Sequence, residues 1–187
     1  MFRTRVTGVT HRGGSARPQR GAAAVEFALV LPLLLLLVFG IINFGFLMAQ
    51  KASLSNSTRA GARYGTVNAY TSTTHTCQSV VDKVRASAPT AGIADTAAGR
   101  NSIAVSVKLT KAADGSTATV CSAAPGAAAA TGSPAQLPCL NATNSPSTPD
   151  TLTVSSTYNS RFLVSIPGVG TTFALGGTSA FQCEYYK

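Results

Sequence analysis

The sequence predicts an α+β protein, one long N-terminal helix followed by a small antiparallel sheet of three to five strands. Three observations lead there. Phe27–Ala49 is an apolar run without a formal charge. "SIAVSVKLT" (Ser102–Thr110) alternates apolar and polar residues with the period of a half-buried strand. Further strand-like stretches, "TATVCSA" (Thr117–Ala123), "TLTVSSTYNSRFLVSIP" (Thr151–Pro167) and "TFALGGTSAFQCEYY" (Thr172–Tyr186), follow it without an intervening long helical pattern. Helix first and strands after is the order of an α+β domain.

The N-terminal run reads as a membrane span. Its 23 residues make about 34 Å of helix at ~1.5 Å per residue, enough for a hydrocarbon core of about 30 Å. Sixteen of them are Leu, Ile, Val or Phe. At roughly −0.5 kcal/mol each, insertion is favoured by about 8 kcal/mol, against about 3 kcal/mol for the single acid Glu26 at its edge. The lipid bilayer is therefore an expected partner.

The net charge of +9 belongs largely to the same device. Arg3, Arg5, Arg12, Arg17 and Arg20 precede the run with no acid among them, and the later charges are sparse and mixed. No basic stripe with interleaved aromatics follows, so nucleic acid is not an expected partner. Basic residues before a span hold that end in the cytoplasm, and Lys51, Arg59 and Arg63 beyond it weaken the asymmetry without reversing it. The expected protein is thus single-pass in the inner (cytoplasmic) membrane, N-terminus inside and the remainder extracytoplasmic. A cleaved secretory signal would need a shorter apolar core and a better small-x-small site than "FLMAQKAS". A buried core helix would need a larger apolar domain around it than the Ala/Ser/Thr-rich remainder supplies.

Beyond Ala49 the helix is expected to continue to about Gly65, with Leu54, Thr58, Ala62 and Tyr64 on one packed face and Gly65 as its stop. "CQSVVDKVRASAP" (Cys77–Pro89) reads as a short helix with Val80, Val81 and Val84 inward. Ser102–Thr110 and Thr117–Ala123 are expected to pair across the turn "KAADGS". Residues 124–150, rich in Ala, Pro, Ser, Thr and Asn, read as a long loop.

Cys77, Cys121, Cys139 and Cys183 all lie in the expected outer part, and an even number in an oxidising compartment points to two disulfides. Of the three connectivities, Cys121–Cys139 would close the proline-rich loop and leave Cys77–Cys183 to tie the last strand to the helical region. No C-x-x-C pair supports a metal site. His11 and His75 stand apart from any nucleophile elbow, and His75 reads as a lone exposed polar side chain. "PGVGTTFALGG" lacks the lysine of a phosphate loop, its glycines suiting a turn and a strand bulge. No catalytic constellation and no cofactor site is expected, so the chain does not read as an enzyme.

One feature of the span demands chemistry. A carboxylate at the edge of hydrocarbon is a functional hypothesis by default. A cut after Gly21 would give Ala22 a new α-amine, and residues 22 and 26 are neighbours on one helix face. The amine could then offset Glu26, within one chain or between chains. The stretch "RGAAAVEFALVLPLLLLLVFGIINFG" resembles the N-terminus of TadE-like proteins, minor pilins or pseudopilins of the tight-adherence (Tad, type IVb) pilus. The resemblance rests on Gly21, Glu26, Phe27 and Pro32, continues through "GARYGTV" (Gly61–Val67), and touches "SAFQCEY" (Ser179–Tyr185). Asn43 and Ala60 stand where the family commonly has acids.

The resemblance implies a pilin-like domain and cleavage by a prepilin peptidase between Gly21 and Ala22. It also implies assembly through the apolar helix with Glu26 and Phe27, and partnership with other Tad pilus subunits and the assembly platform in adhesion and pilus biogenesis. The expected organisation is a basic leader at 1–21, a transmembrane helix at 22–49 and an extracytoplasmic α+β domain at 50–187. The rival reading is an uncleaved, membrane-anchored extracytoplasmic binding protein, which leaves Gly21 and Glu26 without a purpose.

Overall fold

The computed structural model describes residues 20–67, 75–89, 93, 95–139, 149–163 and 172–184. Residues 1–19 of the expected leader, and residues 140–148 of the loop, lie outside these. The chain forms two units, divided between Gly40 and Ile41.

The first unit is described by the opening part of helix α1, Arg20–Thr66. Its Leu, Val and Phe side chains from Val25 to Phe39 are exposed on every side of the helix. Pro32 sits within it, removing one backbone donor from the ladder.

Among the described residues, the second unit holds the rest of α1, helix α2 (Cys77–Ser87), the short α3 (Ala97–Asn101) and five strands. These are β1 (Ala104–Thr110), β2 (Thr117–Ala123), β3 (Thr131–Gly132), β4 (Thr151–Arg161) and β5 (Thr172–Gln182). The sheet is antiparallel throughout, in the order β3-β2-β1-β4-β5. Alternation decides its faces: Val105, Val107 and Leu109 point inward beside Leu152 and Val154, while Ser106, Lys108, Thr153 and Ser155 point outward. The inward side chains form one core with Leu54 of α1 and with Val80, Val81 and Val84 of α2.

The packed face of α1 is built from small residues. Leu54, Ser57, Thr58, Gly61, Ala62 and Gly65 recur at three- and four-residue spacing and are buried. Gly65 does not stop the helix, which runs one residue further. It and Gly61 instead let α1 approach its neighbours: a Cβ at Gly61 would collide with Val84, and one at Gly65 would lie 2.7 Å from Leu152. Gly177 does the same from the sheet, where a Cβ would stand 2.9 Å from the Leu54 carbonyl oxygen. The bulge expected near Gly176 and Gly177 is absent; β5 keeps an unbroken register with β4 from Thr172 to Gln182. Helix backbone passing over strand backbone, rather than strand curvature, explains the glycine. The bulge in the sheet falls instead between β1 and β2, where the register slips at Val107/Lys108.

The described part of the loop is ordered by polar contacts that composition does not reveal. Arg85, 2% exposed, donates from Nε and Nη2 to the Ile103 carbonyl at 3.1 and 3.0 Å. It also donates to the carbonyls of Ala127 at 2.7 Å and Ala124 at 3.3 Å. Burial pulls its guanidinium below the ordinary arginine range, partly offset by the Asp82 charge. The N–H groups of Cys77 and Gln78, orphans of the first turn of α2, donate to the carbonyls of Gln136 and Pro134 at 2.8 and 2.9 Å.

All four cysteines are oxidised, but in a different pairing from the expected one: Cys77–Cys121 and Cys139–Cys183. The reason is the path of the loop. α2 packs on β1 and β2, which sets Cys77, its first residue, over the inward-facing Cys121. After β3 the chain crosses the N-terminus of α2, so Cys139 reaches the end of β5 instead of folding back on Cys121. There the Cys183 N–H donates to the Asp150 carbonyl at 2.8 Å. Each bridge spans 44 residues, worth roughly 4 kcal/mol of loop-closure entropy in the chain model.

Two substitutions test this packing. Gly177→Ala should destabilise the outer domain by about 1–3 kcal/mol, because the obstructing atoms are backbone. Arg85→Leu should cost about 3 kcal/mol by leaving several buried carbonyls without donors. Urea unfolding of the detergent-solubilised protein, followed by circular dichroism, measures both; an unchanged midpoint for either variant would contradict the contact assigned to it.

Candidate assembly site

The candidate site is the start of α1. The helix begins at Arg20, so Gly21 and Ala22 occupy its first turn and Glu26 lies one turn on from Ala22. Gly21 is exposed, and a Cβ built there would meet nothing within 4 Å. Openness at the backbone, not a positive φ, is what this glycine offers. Glu26 is exposed and Phe27 is 64% exposed.

The site's setting is apolar all round. Leu29 is 76% exposed, Leu33 72% and Leu36 64%, values a water-soluble fold does not leave on one contiguous surface. A helix without a polar face belongs in a core or in lipid, and none of the most apolar window is buried within the chain. Among the described residues, one helix, near the N-terminus, is long and apolar enough to span a membrane.

Farther along, Asn43 and Gln50 are 2% and 1% exposed. They mark where α1 passes from a helix bare on all sides to one covered on one face by its own domain. The sequence signal for this is modest: two amides at the end of an apolar run.

The other candidates stand apart from α1's first turns. The four cysteines serve as two structural bridges of the outer unit. His75 is not the exposed residue expected. It is half-buried, stacks on Tyr64 at 4.1 Å and donates from Nδ1 to the Val67 carbonyl at 2.8 Å, holding the chain where it leaves α1. His11 lies outside the described residues. Among the described residues, no group of three or more His, Cys, Asp or Glu side chains is placed to hold a metal ion.

Residues 21–63 match the model of the TadE-like protein family. The matched stretch opens on Gly21, contains Glu26 and Phe27, and ends within the buried face of α1. The comparison with curated proteins gave no match, and neither did that with solved structures. The match covers 43 of the 187 residues; the sheet beyond it is described by its own geometry.

Magnitudes decide how robust the span is. With about 8 kcal/mol from apolar residues and about 3 kcal/mol against from Glu26, the net is about 5 kcal/mol. Arginine at both Leu34 and Leu37 adds a cost of roughly 7 kcal/mol, which reverses the sign. The double variant Leu34→Arg/Leu37→Arg should leave the alkali-resistant membrane fraction, whereas Leu34→Arg alone should remain in it. Retention of the double variant would show that the TadE-like helix is not held by lipid.

Proposed function

We propose that this chain is a minor pilin or pseudopilin of a Tad-type pilus, a structural subunit rather than an enzyme. In this reading a prepilin peptidase cuts between Gly21 and Ala22, and the mature chain enters the filament through its apolar helix. The observation that carries it is the TadE-like match over residues 21–63, with Glu26 as the sole acid of that matched apolar stretch. The basic leader before Arg20 holds the N-terminus in the cytoplasm, where a membrane peptidase reaches the junction.

The physical steps follow from the first turns of α1. A peptidase needs extended backbone, and a helix end beginning Arg20–Gly21 unwinds at little cost, since glycine is a poor helix former. Cleavage leaves a cationic amine on Ala22 at the first position of the mature helix and Glu26 at the fifth. Each ion alone in hydrocarbon costs several kcal/mol; pairing the amine of one helix with Glu26 of its neighbour offsets part of both penalties. Phe27 and the exposed leucines beyond it then pack between helices in place of lipid. Other Tad pilus subunits and the assembly platform are the partners that such packing requires.

Two measurements test the reading. Intact mass of the membrane-extracted protein should correspond to a chain beginning at Ala22. Glu26→Gln should keep membrane insertion but lower filament incorporation at least about tenfold, the effect of losing roughly 1.4 kcal/mol of pairing. A chain that retains residues 1–21 and never enters filaments would favour a membrane-anchored binding protein instead.

A further inference from the structure

The free edge of the sheet and the flank of α1 beside it, both in the second unit, make a surface that assembly through the first turns of α1 does not use. β5 ends the order β3-β2-β1-β4-β5, and among the described residues no strand pairs with its far side. The opposite edge, β3, is two residues long and is followed by Ser133 and Pro134. β5 has eleven residues with no proline, no formal charge and no slip of register against β4. Edge strands are normally kept short, charged, bulged or broken by proline, because a straight free edge accepts another strand. β5 has none of these safeguards.

At the C-terminal end of this edge lies a groove of about 420 Å³ between α1 and the end of β5. Gly61 and Gly65 press one side of α1 against Val84 and Val80 of α2. Arg59, Arg63 and Thr66 line the groove from the helix, and Phe181 and Glu184 from the strand. The Glu184 N–H donates to the Thr66 carbonyl at 3.4 Å, which fixes the chain against the helix as it leaves β5. Arg59 and Arg63 are exposed and one helical turn apart. Among the described residues the one ion pair is Arg100–Asp95, so neither guanidinium is paired with a carboxylate there, that of Glu184 included. Phe181, 39% exposed, adds an apolar wall.

The two features together specify a ligand. An open row of backbone N–H and C=O groups fits another peptide backbone, which a lipid headgroup or a free phosphate does not offer. Two arginine forks at the end of that row fit carboxylates.

We propose that the outer edge of β5 receives an extended acidic segment of another protein. Its main chain continues the sheet as a sixth strand, and its carboxylates bond Arg59 and Arg63. A second copy of this chain does not supply such a segment. Glu26 and Asp82 are on helices, Asp95 is held by Arg100, and Asp150 is buried. Asp114 accepts from the Ser116 N–H within its own turn at 2.9 Å, and Glu184 belongs to the groove itself. There Glu184 repels the incoming carboxylates and limits how tightly they are held. The site rests on the second unit alone, and stands whether or not the chain is cleaved or polymerises.

The probe is a fluorescein-labelled peptide of alternating threonine and valine with a pair of glutamates at each end, so that either strand direction brings acids to the arginines. Binding to the full-length, detergent-solubilised protein is followed by fluorescence anisotropy. The double variant Arg59→Gln/Arg63→Gln should bind it about tenfold more weakly, whereas Glu184→Gln should bind it a few-fold more tightly. Opposite shifts from two exposed positions in one groove separate recognition from a folding defect, and non-reducing electrophoresis checks that both disulfides form in each variant. A peptide with glutamines in place of glutamates should bind the unaltered protein about tenfold more weakly, and methylation of alternate backbone nitrogens should abolish binding. No binding of the acidic peptide, or equal binding of the acidic and glutamine peptides, would overturn the proposal. So would an N-methylated peptide that binds as well as the unmodified one and is displaced by inorganic phosphate, which would reduce the site to a simple anion pocket.

Discussion

The removal of one uncharged helical stretch from water is the constraint on which the rest depends. From Phe27 to Phe39 α1 presents apolar side chains in every direction, and no described residue covers its most apolar window. Lipid or neighbouring helices must do so, because an apolar surface of that extent has no stable solution in water. That requirement gives Glu26 its significance. The same carboxylate on a polar helix would be unremarkable; at the edge of hydrocarbon it calls for a counter-charge, which in the proposed reading is the amine left on Ala22.

The later part of the same helix obeys a different rule. Once it carries amides, hydroxyls and glycines on one side, α1 packs against a sheet by close backbone approach instead of large side chains. Gly61, Gly65 and Gly177 are the contact points, and Thr58 Oγ1 and Ser179 Oγ meet at 3.3 Å across the helix–strand seam. Small residues on both surfaces make this face intolerant of added volume. The two disulfides and the Arg85 carbonyl cluster then fasten the described part of the loop between β2 and β4.

This division explains why the TadE-like match covers residues 21–63 and no more. Over that stretch a surface apolar on all sides and a face packed through small residues share one element, each with narrow chemical requirements. Beyond it, the sheet must satisfy alternation and hydrogen bonding, which many sequences can do.

The sequence by itself determined the elements whose signals are periodic or local. The apolar run, the continuation of α1 past Ala49, α2 with its inward valines, and the strands at Ser102–Thr110 and Thr117–Ala123 all follow from spacing. Gly21 and Glu26 stand out for the same reason, being local departures from a uniform background, and the role given to them belongs to the proposed function. Only the tertiary structure decided the disulfide pairing, the burial of Arg85 and His75, and the purpose of the glycines. Each of these depends on which distant segments are brought together, and residue spacing along the chain carries no information about that until helix and sheet have packed.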